Sequence, residues 1–286
     1  MEYKIEKPIV VYSSESPLKK PSIFFQKMFR DLRASGNLAK RLTIRDVSAQ
    51  YRQTALGYCW AVLPPLVMSL TFIILNRANV IHVSALSIPY PIFLLTGTIF
   101  WQLFVDALNA PLRVLTANKQ LLSKINFPKE ALILSAIGQI LFSFGIKVIL
   151  LVGALILFQV PVKGTAPFIL LPLIGLLAIG IMCGLFMVPI GMLYQDIQQG
   201  LIIVTSALMF FTPVLFPQPE EGILNKIMEL NPLSPFLLSS RSILYSGTFE
   251  HILESAAVLG VTMVLLFLGW IIYRISLPIL IERMDA

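Results

Sequence analysis

The sequence predicts an all-α polytopic membrane protein: six transmembrane helices, an amphipathic N-terminal helix at the interface, and short extracytoplasmic helices between the fifth and sixth spans. Three observations carry this. Of 286 residues, 57% are hydrophobic and only 13% charged, with a mean hydropathy of +0.82, whereas soluble domains are about half apolar and a quarter charged. The apolar residues gather into runs of about 20, the length needed to cross a bilayer at 1.5 Å per residue. Lys and Arg collect ahead of the first run.

Two amphipathic stretches precede the spans. In "PSIFFQKMFRDLRASG", Phe25, Met28, Phe29 and Leu32 recur at helical spacing opposite Lys27, Arg30 and Asp31, and Gly36 with Asn37 is expected to end the helix. In "RLTIRDVSAQYRQTALG", Ile44, Val47, Tyr51 and Ala55 share a face beside Arg41, Arg45 and Arg52. Such helices lie among lipid headgroups or pack as a small cap on a partner. The six runs are 58–76, 90–110, 131–158, 167–193, 200–217 and 252–274. Pro64 and Pro65 in the first and Pro172 and Pro189 in the fourth are expected to kink their helices, and the short fifth to bend at Pro213. Eleven basic residues (Lys4, Lys7, Lys19, Lys20, Lys27, Arg30, Arg33, Lys40, Arg41, Arg45, Arg52) precede the first run. The positive-inside rule therefore puts that end in the cytoplasm, and six spans return the C-terminus there. The joint between runs two and three is cytoplasmic on the same count, with Arg113, Lys119, Lys124 and Lys129. Residues 217–249 are long for a connection and read as two short helices broken at Pro232 and Pro235. The resulting division is a cytoplasmic N-terminal region over 1–57, a permeation domain over 58–274 and a cytoplasmic tail over 275–286.

Several function classes are excluded. A net charge of +7 suits nucleic acid only on a soluble basic face, and here the charge is a membrane-topology signal. Cys59 and Cys183 have no CxxC or His partner, so neither zinc nor a disulfide framework is expected. No Gly-Lys dipeptide occurs, hence no Walker A loop, and there is no HExxH, GxSxG or carboxylate cluster. His82 and His251 read as surface residues, and no catalytic residue, metal site or bound cofactor is expected in this chain. Ionisable groups within spans are few: Asp106 near the inner end of the second, and Lys147 well inside the third. The structural reading of Lys147, snorkelling or pairing with Glu254, stands ahead of a pathway charge.

Aromatic residues are more telling. Phe93, Phe100 and Phe104 fall in one band of the second span with Gly97, Trp101 lies beside them, and Tyr58 and Trp60 open the first span. Phe210 and Phe211 stand in "FFTPVLFP". Aromatic faces stack on the C–H groups of pyranose rings and grip a sliding polymer weakly; helix packing or an interfacial belt accounts for them equally. "GIMCG", Gly180 to Gly184, is a GxxxG that admits close approach of another helix.

The ordered set "RDVSAQYRQTALGYCWAVLPP", "PYPIFLLTGTIFWQLF", "NKQLLSKINFPKEAL", "LYQDIQQGL", "TPVLFP" and "LNPLSPF" resembles the permease subunit of type-2 ABC transporters that export polysaccharides. It is most similar to the O-antigen exporters, with capsule and teichoic-acid permeases as relatives. The resemblance implies a homodimer in the bacterial inner membrane, working with two copies of a separate ABC ATPase that binds the ATP and magnesium. Its substrate would be an undecaprenyl-diphosphate-linked glycan. It implies a coupling helix at about 116–127, with Asn118, Lys119, Leu121, Leu122, Ile125 and Phe127 toward the ATPase and Tyr194 and Asp196 in the second cytoplasmic joint. Gln195 flanks Asp196 where many members carry basic residues. An outer gate is implied at about 221–245. Arg41, Arg45 and Arg52 are candidates for the lipid diphosphate at the entrance, because guanidinium forks match phosphate oxygens, or else ordinary inside-positive anchors. The competing class, a membrane enzyme of envelope glycan assembly, would need a catalytic set, and Glu220, Glu221 and Arg241 are too sparse to supply it.

Overall fold

The computed structural model describes residues 21–52, 54–78, 80, 88–125, 127–194 and 196–285, with side chains described through 281. Lys4, Lys7, Lys19, Lys20, His82 and Gln195 lie outside the described residues. Among the described residues all regular structure is helical: α1 (Pro21–Arg52), α2 (Leu63–Arg77), α3 (Tyr90–Ala117), α4 (Lys119–Lys124), α5 (Glu130–Leu157), α6 (Leu170–Gly191), α7 (Asp196–Phe210), α8 (Ile223–Leu230), α9 (Ser234–Arg241) and α10 (Ile252–Asp285). Short 3₁₀ turns at Gly57–Ala61 and Ala166–Ile169 lead into α2 and α6. Among the described residues four helices are long and apolar enough to cross a membrane: α3, α5, α6 with its leading turn, and α10. The other two expected spans, α2 and α7, have 15 residues each. That is roughly 22 Å at 1.5 Å per residue, short of a hydrocarbon core of about 30 Å.

Proline decides where α2 begins. Pro64 and Pro65 were expected to kink the first span. They instead occupy the first turn of α2, where a missing N–H leaves no bond unmade, so the helix starts at Leu63. Pro172 likewise falls in the first turn of α6, and α7 ends at Phe210, ahead of Pro213. At the other extreme α10 continues as one helix through Asp285 past the expected end at 274.

The N-terminal helix corrects a second expectation. Gly36 and Asn37 do not end it, and α1 runs unbroken for 32 residues. A helical glycine costs about 1 kcal/mol relative to alanine, while Ser35 and Ala39 beside it are buried and hold the turn by packing. Phe25 stacks on Phe267 and Phe29 sits edge-on to Trp270, so the first half of α1 packs on α10. Farther along, Ile44 is exposed, and Ala39 and Leu42 are the buried side chains instead. There α1 rises along the first turns of α5, from Asp31 beside Glu130 to Tyr51 beside Phe142.

The bundle is built around α3, whose residues from Ile92 to Leu115 are mostly buried. It can be so enclosed because α6 comes very close. A Cβ on Gly180 would collide with Ala107 and the Phe104 carbonyl, and one on Gly184 with the Leu108 carbonyl and the Pro111 ring. The GxxxG pair thus serves a contact within the chain. At one end of the bundle lie α4, the C-terminus of α3, the N-terminus of α5 and the last turns of α10. At the other lie α8 and α9, where a Cβ on Gly175 of α6 would strike the Phe236 ring. Gly184→Ala is expected to lower stability by about 1–3 kcal/mol, the cost of overpacking a tight core. Gly145→Ala, with open space at its Cβ, should leave the unfolding temperature of the detergent-solubilised protein unchanged or raised; thermal unfolding of the two variants checks both.

Candidate functional site

Polar side chains on an apolar helix are costly unless they meet one another, and on α5 they recur at a single spacing. Ser135, Gln139, Ser143 and Lys147 stand four residues apart, one above the other on one face. On α3, Gln102, Asp106 and Arg113 share a face in the same way. The two stripes meet: Lys147 Nζ donates to Asp106 Oδ2 at 2.7 Å, and Gln102 Nε2 donates to Asp106 Oδ1 at 2.9 Å. The Lys147 side chain is 4% exposed and that of Asp106 21%. The expected pairing of Lys147 with Glu254 is not formed, because this face of α5 turns toward α3. Glu254 lies instead at the start of α10, 3.0 Å from His251 Nδ1.

The second half of α1 completes the seam. Gln139 Nε2 donates to Asp46 Oδ2 at 3.0 Å, Arg45 Nε to Asp46 Oδ1 at 2.7 Å, and Arg45 Nη2 to Asn118 Oδ1 at 3.0 Å. Above these contacts the stripes enclose a cavity of 150 Å³ that reaches Asp106 and Lys147 and is rimmed by Gln50, Trp60 and Arg113. Tyr51 forms part of its wall, and burial pushes the phenol up, so it remains a protonated donor. A second cleft of 330 Å³ opens on the other side of Gln102, between α2, α3 and α7. It mixes aromatic and small polar groups, with Trp101 and Phe210 beside Thr98, Asn109, Thr205 and Ser206. Gln102 and Pro64 line both cavities.

Each end of the bundle is closed by an arginine. At the α4 end, Arg274 of α10 bonds Glu130 of α5 at 2.5 Å and also Asp31 of α1. Tyr273 O–H donates to the Lys129 carbonyl at 3.0 Å. Burial beside this cluster pushes the Lys129 ammonium down, against the pull of Glu130. Glu130 is the first residue of α5, as a dipole-compensating carboxylate would be, but its stronger tie is to Arg274. At the α9 end, Arg241 is buried and donates to the carbonyls of Phe93, Val214 and Pro213 while its guanidinium stacks 3.6 Å from the Phe93 ring centroid. Gly97 makes room for it, since a Cβ there would overlap the guanidinium. Glu220 and Glu221 are exposed and away from it.

The sequence-predicted residues divide by burial. Phe93, Phe100, Trp101 and Phe104 lie in the core, none more than 6% exposed, whereas Tyr58, Trp60, Phe210 and Phe211 are exposed. A ring packed on both faces offers no surface to a ligand; of the buried four, Trp101 borders the α2–α3–α7 cleft. In the α4 segment Leu122 is buried and Ile125 is 54% exposed, while Asn118 caps the end of α3 and Phe127 packs against the core. Lys119 and Leu121 are half-buried, and Tyr194 and Asp196 are exposed at the same end, because Gly191 just before them abuts Leu112 near the end of α3. Arg41 and Arg52 are exposed on α1, and Arg45 is tied to Asp46 and Asn118. The seam itself was missed in the sequence as a unit. Its signal was the four-residue spacing of Ser135, Gln139, Ser143 and Lys147.

Residues 37–245 match the family described as ABC-2 type transporter. The chain is 26% identical over 234 residues to an O-antigen export system permease protein RfbA of Klebsiella pneumoniae, covering 79% of this chain and 86% of the relative. It is 26% identical over 251 residues to a protein of the same name in Myxococcus xanthus, covering 84% and 93%. With a polysialic acid transport protein KpsM of Escherichia coli it shares 25% identity over 240 residues, 82% of this chain and 91% of the relative.

Breaking a buried ion pair by removing one partner costs about 3–5 kcal/mol, because the other charge is left unpaired. Lys147→Met is therefore expected to lower the unfolding temperature sharply, and Lys147→Met with Asp106→Asn to recover most of the loss. A double-mutant cycle by thermal unfolding measures the coupling.

Proposed function

This chain belongs to the ABC-2 type transporter family, and as a multi-pass membrane protein of that family we propose that it is the permease subunit of an exporter of lipid-linked polysaccharide, most specifically O-antigen. The observation that carries the reading is the similarity, across more than three quarters of the chain, to relatives named for O-antigen export. The polysialic acid transport relatives support capsule export as the second reading. The chain supplies the passage rather than the energy: ATP hydrolysis belongs to a separate ABC ATPase, two copies of which pair with two copies of this chain.

The geometry supports the division of labour. The short helices α2 and α7 complete six spans, α2 through its leading 3₁₀ turn and α7 through the segment that follows it to Pro217. Their exposed apolar faces, Val67, Leu70 and Ile74 on α2 and Ile202, Ile203 and Val204 on α7, are surfaces that a second copy or lipid must cover. The cleft between them is the half-channel, with Trp101 and Phe210 as stacking faces and Phe211 at its head, while Tyr58 and Trp60 stand on the α1–α3–α5 side of Pro64. Such rings hold a sugar chain without fixing its register. The basic end of the chain lies in the cytoplasm of a bacterial inner-membrane protein, with both termini inside. There the first half of α1 lies at headgroup level, α4 meets the ATPase through Ile125 and Lys119, and Tyr194 and Asp196 flank the contact. Leu122 holds α4 to the permease. Arg41, Arg45 and Arg52 draw the undecaprenyl diphosphate toward α1, and α8 and α9 close the outer end.

Deleting the chain is expected to abolish surface polysaccharide while lipid-linked polymer accumulates inside; intact surface polysaccharide would overturn the exporter reading. Ile125→Asp, on an exposed position, should leave the folded protein in the membrane but cut ATPase co-purification and coupled hydrolysis about tenfold or more. Pull-down with the ATPase and a phosphate-release assay measure both. Arg41→Gln and Arg52→Gln are each expected to reduce export several-fold in a surface-glycan assay, and wild-type export from both would remove their headgroup role.

A further inference from the structure

The cavity between α1, α3 and α5 holds more cationic and hydrogen-bonding capacity than its own contacts use. Two cations, Lys147 and Arg113, face it against one carboxylate, Asp106. Lys147 has three N–H donors and among the described residues makes one hydrogen bond, to Asp106. Arg113 has five and forms no ion pair or side-chain hydrogen bond among the described residues. The other acid nearby, Asp46, is already engaged by Arg45 and Gln139. A cleft with this surplus suits an anion, and it is open to one, since its rim residues Gln50, Trp60 and Arg113 are exposed. Arg113 stands four residues before the end of α3, roughly 6 Å along the axis at 1.5 Å per residue.

We propose that this cleft receives the phosphate group of a lipid headgroup, with Arg113 gripping it at the rim and Lys147 meeting it at the floor. The guanidinium supplies paired N–H groups matched to phosphate oxygens, and Lys147 supplies a point charge whose sharing with Asp106 limits how tightly the anion is held. Trp60 and Tyr51 close the site toward the lipid, and Gln102 forms the wall shared with the α2–α3–α7 cleft. A phosphate seated here therefore lies one side chain away from the half-channel. The assignment rests on the exporter reading for its lipid-linked substrate, and it places the headgroup on residues separate from Arg41, Arg45 and Arg52.

The test uses the full chain in phosphatidylcholine nanodiscs, without the ATPase, and three probes: geranylgeranyl diphosphate, geranylgeraniol and inorganic diphosphate. Saturable binding of the prenyl diphosphate, absent for the alcohol, is expected. Arg113→Gln should weaken it about tenfold with unchanged thermal unfolding, and Arg113→Lys should recover part of the loss. The paired Lys147→Met and Asp106→Asn variant, which removes both buried charges together, should weaken it as well. Inorganic diphosphate competing as well as the prenyl compound would make free phosphate the ligand and overturn the lipid assignment. Equal binding by Arg113→Gln and wild type would overturn the site, and would leave the exporter reading standing if deletion of the chain still abolishes surface polysaccharide.

Discussion

The close approach of α6 to α3 is the contact on which the rest of the bundle depends. With Gly180 and Gly184 against Ala107, Leu108 and Pro111, the two backbones come nearer than any larger side chain allows. Association of helices in lipid draws on packing and hydrogen bonding more than on exclusion of water, so a long, tight contact of this kind is a main source of stability. It buries one flank of α3. The other flanks are then covered by α5 and α2, and α3 becomes an enclosed axis rather than a lipid-facing span. That position is why its aromatic residues are core and why its few polar residues must find partners inside the chain.

Those partners explain the layout of charge. Asp106 is satisfied twice, by Lys147 and Gln102, and Thr96 and Thr98 bond back to carbonyls one turn earlier. Where no carboxylate is at hand, carbonyls serve: Arg241 is held by three of them and by the face of Phe93. Two of those carbonyls, from Pro213 and Val214, belong to the turn just past α7, where a helix ends with unsatisfied acceptors. Arg241 thereby fixes α9 to the ends of α3 and α7 that lie opposite α4. At the opposite end Arg274 does the equivalent with carboxylates, joining α1, α5 and α10 in one cluster.

Much of the fold was legible because composition and run length are strong signals in an apolar chain. The long spans followed from them, and the break between α8 and α9 from Pro232 and Pro235. The GxxxG contact was legible as a kind of contact, though not its partner. What was lost depended on relations between helices. Pro64 and Pro65 carry the same local chemistry at a kink and at a first turn, and only the neighbouring packing of α2 on α3 distinguishes the two. Gly36 looked like a terminator because its local cost is real, yet Ser35 and Ala39 pack through it. The aromatic band on α3 was read either as a channel face or as helix packing, and its burial, with Phe93 under Arg241 of α9 and Phe100 against Phe144 of α5, is a property of the bundle. Lys147 was expected to snorkel or to pair with Glu254; the rotation of α5 about its own axis gave it Asp106.

That rotation has a mechanical consequence. The polar face of α5 is shared along its length by α1 near Gln139 and by α3 near Lys147, so α5 cannot turn about its axis without breaking charged contacts on two neighbours at once. The short helix α4 is attached to the same assembly from both sides. Asn118 at its start is bonded to Arg45 of α1, and Pro128 to Glu130 just past its end lie against Tyr273 and Arg274 of α10. Any displacement of α4 would therefore load α1, α5 and α10 together, through the Arg45–Asn118 hydrogen bond and the Arg274–Glu130 ion pair. The α2–α3–α7 cleft stands on the far side of α3, coupled to this assembly through Gln102 and Asp106.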